Sequence, residues 1–304
     1  MTDTPAVKLS AGDLLIASVR MTWEHIWFLL IISLILSALY VAAVAPFFGM
    51  YIQLFGAAFS GQSTGLYGDP EAFSAEFLEA MKWTWIFVPV TTLVMTAFVV
   101  LWIRRLALGH PHMFDGGVLI FLWRSILCVW RFICAYVLAI VVFVAILLPV
   151  ALLFGLIALL QDGGFLAAVV GLVVVFLVFI LYVVASVGVL LVLVALLISL
   201  TATSLDYRLG IIKCARLLKG NWVAVTLAAA AIGLTVMVVS MLLFGAVMGW
   251  GAAGGASEDG LSTGLIVFLL VAYTISVAMY GAFGALGVAA FGKLRPDAPN
   301  AAPV

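Results

Sequence analysis

Few residues in this chain have the type and spacing for chemistry. Its histidines are His25, His110 and His112. The last two form a His-Pro-His with Asp115 three residues on. A metal site would need a further ligand held rigidly nearby, and the segment Gly109–Gly117 reads instead as an interfacial loop punctuated by Gly and Pro. Cys128, Cys134 and Cys214 have neither the spacing of a metal site nor that of a disulfide framework, and read as reduced structural thiols. Glu71, Glu76 and Glu79 share one segment, yet no sharp turn or third ligand of the calcium-loop kind accompanies them, so they read as a solvated acidic face. There is no phosphate-binding loop, no nucleophile elbow, no His-Glu-x-x-His and no interfacial nucleophile with a base. The expectation is a protein that is not an enzyme, with no cofactor and no nucleic-acid partner.

What remains is positive charge beside tryptophan. At about 100° per residue, Tyr207, Ile211, Cys214, Leu218 and Trp222 share one helical face. Arg208, Lys213, Arg216 and Lys219 lie on the opposite arc, interrupted by Leu209 and Ile212. An apolar span to Gly249 follows directly. Such a helix would lie in the membrane plane with its basic side toward lipid phosphates. The same residues would equally serve as a stop signal that only fixes orientation. The arrangement occurs twice earlier. Asp13–His25 places Leu15, Ile16, Val19, Trp23 and Ile26 on one side, with Asp13, Arg20 and Glu24 on the other. Gly117–Arg131 sets Trp123 and Trp130 opposite Arg124 and Arg131. The candidate lipid- or partner-binding residues are therefore Arg124, Arg131, Arg208, Lys213, Arg216, Lys219, Trp130 and Trp222.

The elements that carry these residues follow from composition. Of 304 residues 67% are hydrophobic and 9% charged, and the mean hydropathy is +1.37. No soluble domain of this length can be surfaced by so few polar groups. The chain reads as all-α, a polytopic membrane helix bundle of six transmembrane helices with three amphipathic interfacial lead-in helices. Spans are expected at about 26–46, 84–103, 132–160, 165–200, 222–249 and 261–291, inside a single membrane domain at 13–292. Polar tails at 1–12 and 293–304 flank it, the second Pro- and Ala-rich and expected to be disordered. Ala43-Val44-Ala45 mimics a cleavage site, but the lead-in is too long for a signal peptide and Pro46 follows, so the first span reads as uncleaved. Asp69-Pro70-Glu71 starts a short helix to about Lys82. The span 165–200 is either one helix of roughly 54 Å or broken near Ser186–Gly188, and a split would put the Arg208–Lys219 cluster on the wrong side.

Charge sorting sets the orientation. With six spans, Lys8, Arg20, Arg104, Arg105, Arg124, Arg131, Arg208, Lys213, Arg216, Lys219, Lys293 and Arg295 share one side, and Lys82 alone lies on the other. The positive-inside rule makes the first side, with both termini, cytoplasmic. Trp23, Trp27, Trp102, Trp123, Trp130 and Trp222 are expected in a cytoplasmic aromatic belt, and Trp83, Trp85 and Trp250 in an outer one. No expected span carries an ionisable residue away from its ends, unlike ion-coupled transporters. Gly245-x-x-x-Gly249 and Gly281, Gly284 and Gly287 would let helices approach closely, within the bundle or in a homo-dimer.

The copies Arg124-x5-Trp130 and Arg216-x5-Trp222, each followed by a span, together with the junction Gly220-Asn221-Trp222, resemble a family. The chain is similar to six-span bacterial proteins related to the membrane domain of glycerophosphoryl diester phosphodiesterases, including the YciC-like inner-membrane proteins. The first copy departs from the pattern, with Trp27 seven residues after Arg20, and nothing matches a phosphodiesterase barrel. The resemblance implies a membrane module without that activity. Membrane lipids with anionic headgroups, or a membrane protein to be scaffolded, are the expected partners. The alternative is a permease or channel for an uncharged or lipidic solute.

Overall fold

A computed structural model describes residues 8–42, 70–159, 164–250, 256–257, 260–261 and 263–295. Eight α-helices run through the described residues: α1 Ala11–Glu24, α2 Ile26–Ala42, α3 Pro70–Leu108, α4 Gly117–Leu159, α5 Gly164–Ser204, α6 Ile211–Leu217, α7 Trp222–Trp250 and α8 Thr263–Leu294. A two-residue antiparallel ladder, Ala256–Ser257 on Gly260–Leu261, lies between α7 and α8. The fold is an all-α polytopic bundle. Five of its helices carry stretches long and apolar enough to cross a bilayer: Pro89–Leu108, Gly117–Ala145, Gly171–Ser204, Trp222–Val247 and Thr263–Leu294. The pair α1 and α2, bent by 74° at His25, makes a sixth if counted as one span.

The first lead-in is a separate helix, as its sequence suggests, capped at its start by the Ser10 hydroxyl, which accepts the Asp13 N–H. Its orientation is the reverse of a simple amphipathic helix. Leu14, Ala17 and Ser18 are buried against the bundle, while Ile16, Val19 and Trp23 face outward. The second lead-in is not separate. It forms the first turns of α4, which runs unbroken for 43 residues, because the breakers nearest the lead-in, Gly116 and Gly117 at positive φ, sit at the helix start. The third is shorter than its face pattern implies. Asp206 (φ 67) and Gly220 (φ 86) turn the chain at either end, leaving seven helical residues in α6. Their predicted inner face holds, with Ile211, Cys214 and Leu218 buried.

The expected helix Pro70–Lys82 and the span after it are likewise one helix, α3, 39 residues long with Pro89 inside it. α5 is continuous for 41 residues, about 60 Å at 1.5 Å each. Gly188, rather than breaking it, lets α4 approach: a Cβ there would lie 2.9 Å from a Val142 methyl. α4 and α5 form a long antiparallel hairpin. The cleavage-like segment at 43–46 and both tail ends lie outside the described residues, as do Asp69 and the side chains of Glu71, Glu76 and Glu79.

α8 is the hub, packed against α1, α3, α5 and α7. Its glycines make that possible. A Cβ on Gly281 would lie 2.8 Å from Leu29, one on Gly284 2.6 Å from the Trp102 ring, and one on Gly287 would strike Thr201. Gly245 and Gly249 on α7 face no neighbour within 4 Å among the described residues. The main core lies toward one end of the bundle, where Leu14, Val100, Cys128, Ile198, Cys214, Val225 and Phe291 meet from seven helices. That end also gathers the positive charge.

Candidate functional site: the basic end of the bundle

Two arginines reach this end from the last turns of α3 and the first turns of α4, and both are buried. Arg104 is 2% exposed and Arg124 6%. Arg124 grips Asp206 with both edges of its fork, Nε to Oδ1 at 2.7 Å and Nη2 to Oδ2 at 2.7 Å, while Nη1 donates to the Asp115 carbonyl at 2.9 Å. Arg104 donates Nε to the Met113 carbonyl at 2.9 Å, Nη2 to the His112 carbonyl at 2.9 Å and Nη1 to the Ser204 carbonyl at 3.0 Å. It also touches Asp206 Oδ2 at 3.4 Å. The Ser204 carbonyl closes the C-terminus of α5, where the helix dipole is negative and a guanidinium is favoured. The result is a latch that ties the α3–α4 turn to the end of α5. Asp206 can take the backbone turn it needs because Asp tolerates a left-handed conformation.

Arg124 is thus spent inside the protein: every guanidinium nitrogen is engaged. Arg131 is half-buried, with its Nη1 beside Gly210 and its Nε buried without an acceptor among the described residues. Arg208, Lys213, Arg216 and Lys219 are all exposed around α6. Trp130 and Trp222 are exposed as well, and so are Trp23, Trp27 and Trp123. Trp102 departs from the expected belt. It is 1% exposed, its indole N–H donates to the Gly281 carbonyl at 2.7 Å, and it fills the space opposite Gly284. The side chains of Trp83, Trp85 and Trp250 lie outside the described residues.

The junction Gly220-Asn221-Trp222 has a structural use. Gly220 takes the positive φ, and Asn221, buried, accepts the Leu9 N–H on Oδ1 at 2.8 Å, so the start of the chain is docked on the root of α7. Tyr207 packs edge-on to Phe291, and Arg295 lies 5.5 Å over its ring, joining α6's approach to the end of α8. Cys214 sits beneath this surface, where burial pushes its thiol up to about 11. His112 pairs with Asp115 at 2.8 Å, and no cluster of three metal-ligating side chains occurs among the described residues. Away from this end, α7 and α8 enclose a groove of about 470 Å³ lined by Gly233, Val236, Met237, Met241, Phe244 and Phe283, with Ser240 and Tyr280 as its polar groups.

Sequence reasoning found the α6 charges and the outward tryptophans but missed Asp206, Arg104 and Arg105 as site residues. The available signal was Asp206 itself, an acid placed just after a long charge-free helix and just before a basic segment. No family model, no curated protein and no solved structure matches this chain.

Proposed function

We propose that this multi-pass membrane protein lies in a bacterial inner membrane with both termini and the basic end cytoplasmic, and that this end is a non-catalytic module for anionic phospholipid headgroups. One observation carries the reading. The apolar face of α6 is buried while Arg208, Lys213, Arg216 and Lys219 stand exposed on the same end as five exposed tryptophans. Aromatic rings at headgroup depth beside exposed cations suit a lipid surface, and each cation near an anionic leaflet contributes about 1 kcal/mol. The resemblance to the YciC-like membrane proteins, carried by Arg124, Trp130, Arg216 and Trp222, supports a membrane module. The α7–α8 groove suits an acyl chain better than a polar solute, which favours lipid contact over permeation.

The test replaces Arg208, Lys213, Arg216 and Lys219 with Gln together and measures how strongly spin-labelled phosphatidylglycerol outcompetes phosphatidylcholine at the protein perimeter. The preference of the unmodified protein should fall with salt and vanish in the variant. An unchanged preference in the variant refutes the reading.

A further inference from the structure

Arg105 stands next to the fully bonded Arg104, and its surroundings differ in every respect. Its Nε and Nη1 are buried and meet no acceptor among the described residues. It forms no ion pair among the described residues, and Glu24 of α1 is taken by Arg20 at 2.8 Å. Its guanidinium lies 5.3 Å over the Phe28 ring. Phe28 in turn stacks on Trp102, 6.3 Å away and 14° from parallel, and Trp102 is pinned to the Gly281 carbonyl. The guanidinium plane is therefore held by a fixed aromatic stack, with hydrogen-bonding edges left over.

The stack adjoins the 74° break between α1 and α2, where Trp23 and Trp27 are 74% and 77% exposed. Exposed tryptophans mark the level of lipid headgroups. Below them Ile31, Leu34, Ile35 and Leu39 continue an outward apolar face along α2. Buried guanidinium N–H groups without an acceptor call for one, and a phosphate oxygen is a charge-matched acceptor for such a donor.

We infer that Arg105, oriented by Phe28 and Trp102 at the α1–α2 break, is a discrete site for the phosphate of a single phospholipid, whose acyl chains lie on the outward face of α2. The site is separate from the α6 charges, and it rests on the proposed reading only in sharing the premise that this end meets lipid.

Native mass spectrometry of the full chain released from phosphatidylglycerol–phosphatidylcholine nanodiscs tests it. The unmodified protein should keep one phospholipid, Arg105→Gln should lower the retained fraction about tenfold, and Arg105→Lys should fall between because it keeps the charge but lacks the planar group that stacks on Phe28. The variant neutralised at Arg208, Lys213, Arg216 and Lys219 should retain the lipid, whereas its loss there would move the site to α6 and overturn the assignment. Undiminished retention by Arg105→Gln overturns it too. So does equal retention of diacylglycerol, or displacement of the lipid by inorganic phosphate, which would assign the site to free phosphate. If Arg105→Gln does not fold, the Arg105 Nε–H resonance of the unmodified protein decides. It should move downfield on adding phosphatidylglycerol but not diacylglycerol, and no movement contradicts the site.

Discussion

The step from Arg104 to Arg105 rotates the side chain by about 100° around α3, and that rotation separates a structural guanidinium from one with N–H groups to spare. Arg104 and Arg124 share Asp206 and take four backbone carbonyls besides. Removing the carboxylate leaves two buried cations uncompensated. Asp206→Ala should therefore lower stability by about 3 kcal/mol, the low end for a broken buried pair because Asp206 itself is half exposed. Thermal unfolding in micelles measures this, and a loss below about 0.5 kcal/mol would show that the latch is idle. Cys214 gives a second residue-level expectation. Its buried thiol titrates near 11, against about 8.5 for a free one, so iodoacetamide at about pH 8 should label it roughly two hundredfold more slowly in the folded protein. The sign for stability follows. Burial of the neutral thiol costs nothing below about pH 8.5, and its contribution is lost progressively as pH rises from there toward 11.

At the scale of elements, α8 owes its central place to small residues. Gly284 is where the Trp102 ring passes, so Gly284→Ala forces a shift of a pinned, buried indole and should lower the unfolding temperature, by about 1–3 kcal/mol in free energy. Gly245→Ala meets open space and should be neutral or stabilising by up to about 1 kcal/mol, since a helical glycine is the costlier residue. Equal effects at the two positions would contradict this packing. The comparison also shows where the sequence was legible. Charge sorting favoured an unbroken α5, since a split would misplace the Arg208–Lys219 cluster, and periodicity identified the inner face of α6, which depends on local pattern. It failed at the second lead-in, where separation from the span requires a breaker and Gly116 and Gly117 lie on the wrong side. It placed Trp102 in a belt because nothing local says that Gly281 and Gly284, some 180 residues later, open a slot for it. The latch was hidden for the same reason: Asp206 meets Arg104 and Arg124 across separations of 102 and 82 residues.

For the molecule as a whole, the consequence is a bundle whose two ends differ. One end holds the main core, the latch, the docked chain start and the exposed α6 cations. From it α4 and α5 extend as a hairpin whose length, about 60 Å, exceeds a hydrocarbon core of about 30 Å. The excess must therefore tilt or project beyond the hydrocarbon. A rigid, cation-bearing platform ringed by tryptophan is what a lipid-facing module requires, and the lipid bound there is the central claim. It is tested most directly by extracting the protein from its native membrane with a polymer that carries the surrounding bilayer, and quantifying the lipids that accompany it. Anionic phospholipid should be enriched over the bulk membrane, and less so when Arg208, Lys213, Arg216 and Lys219 are neutralised together. A lipid composition equal to the bulk, the same in both proteins, would contradict it.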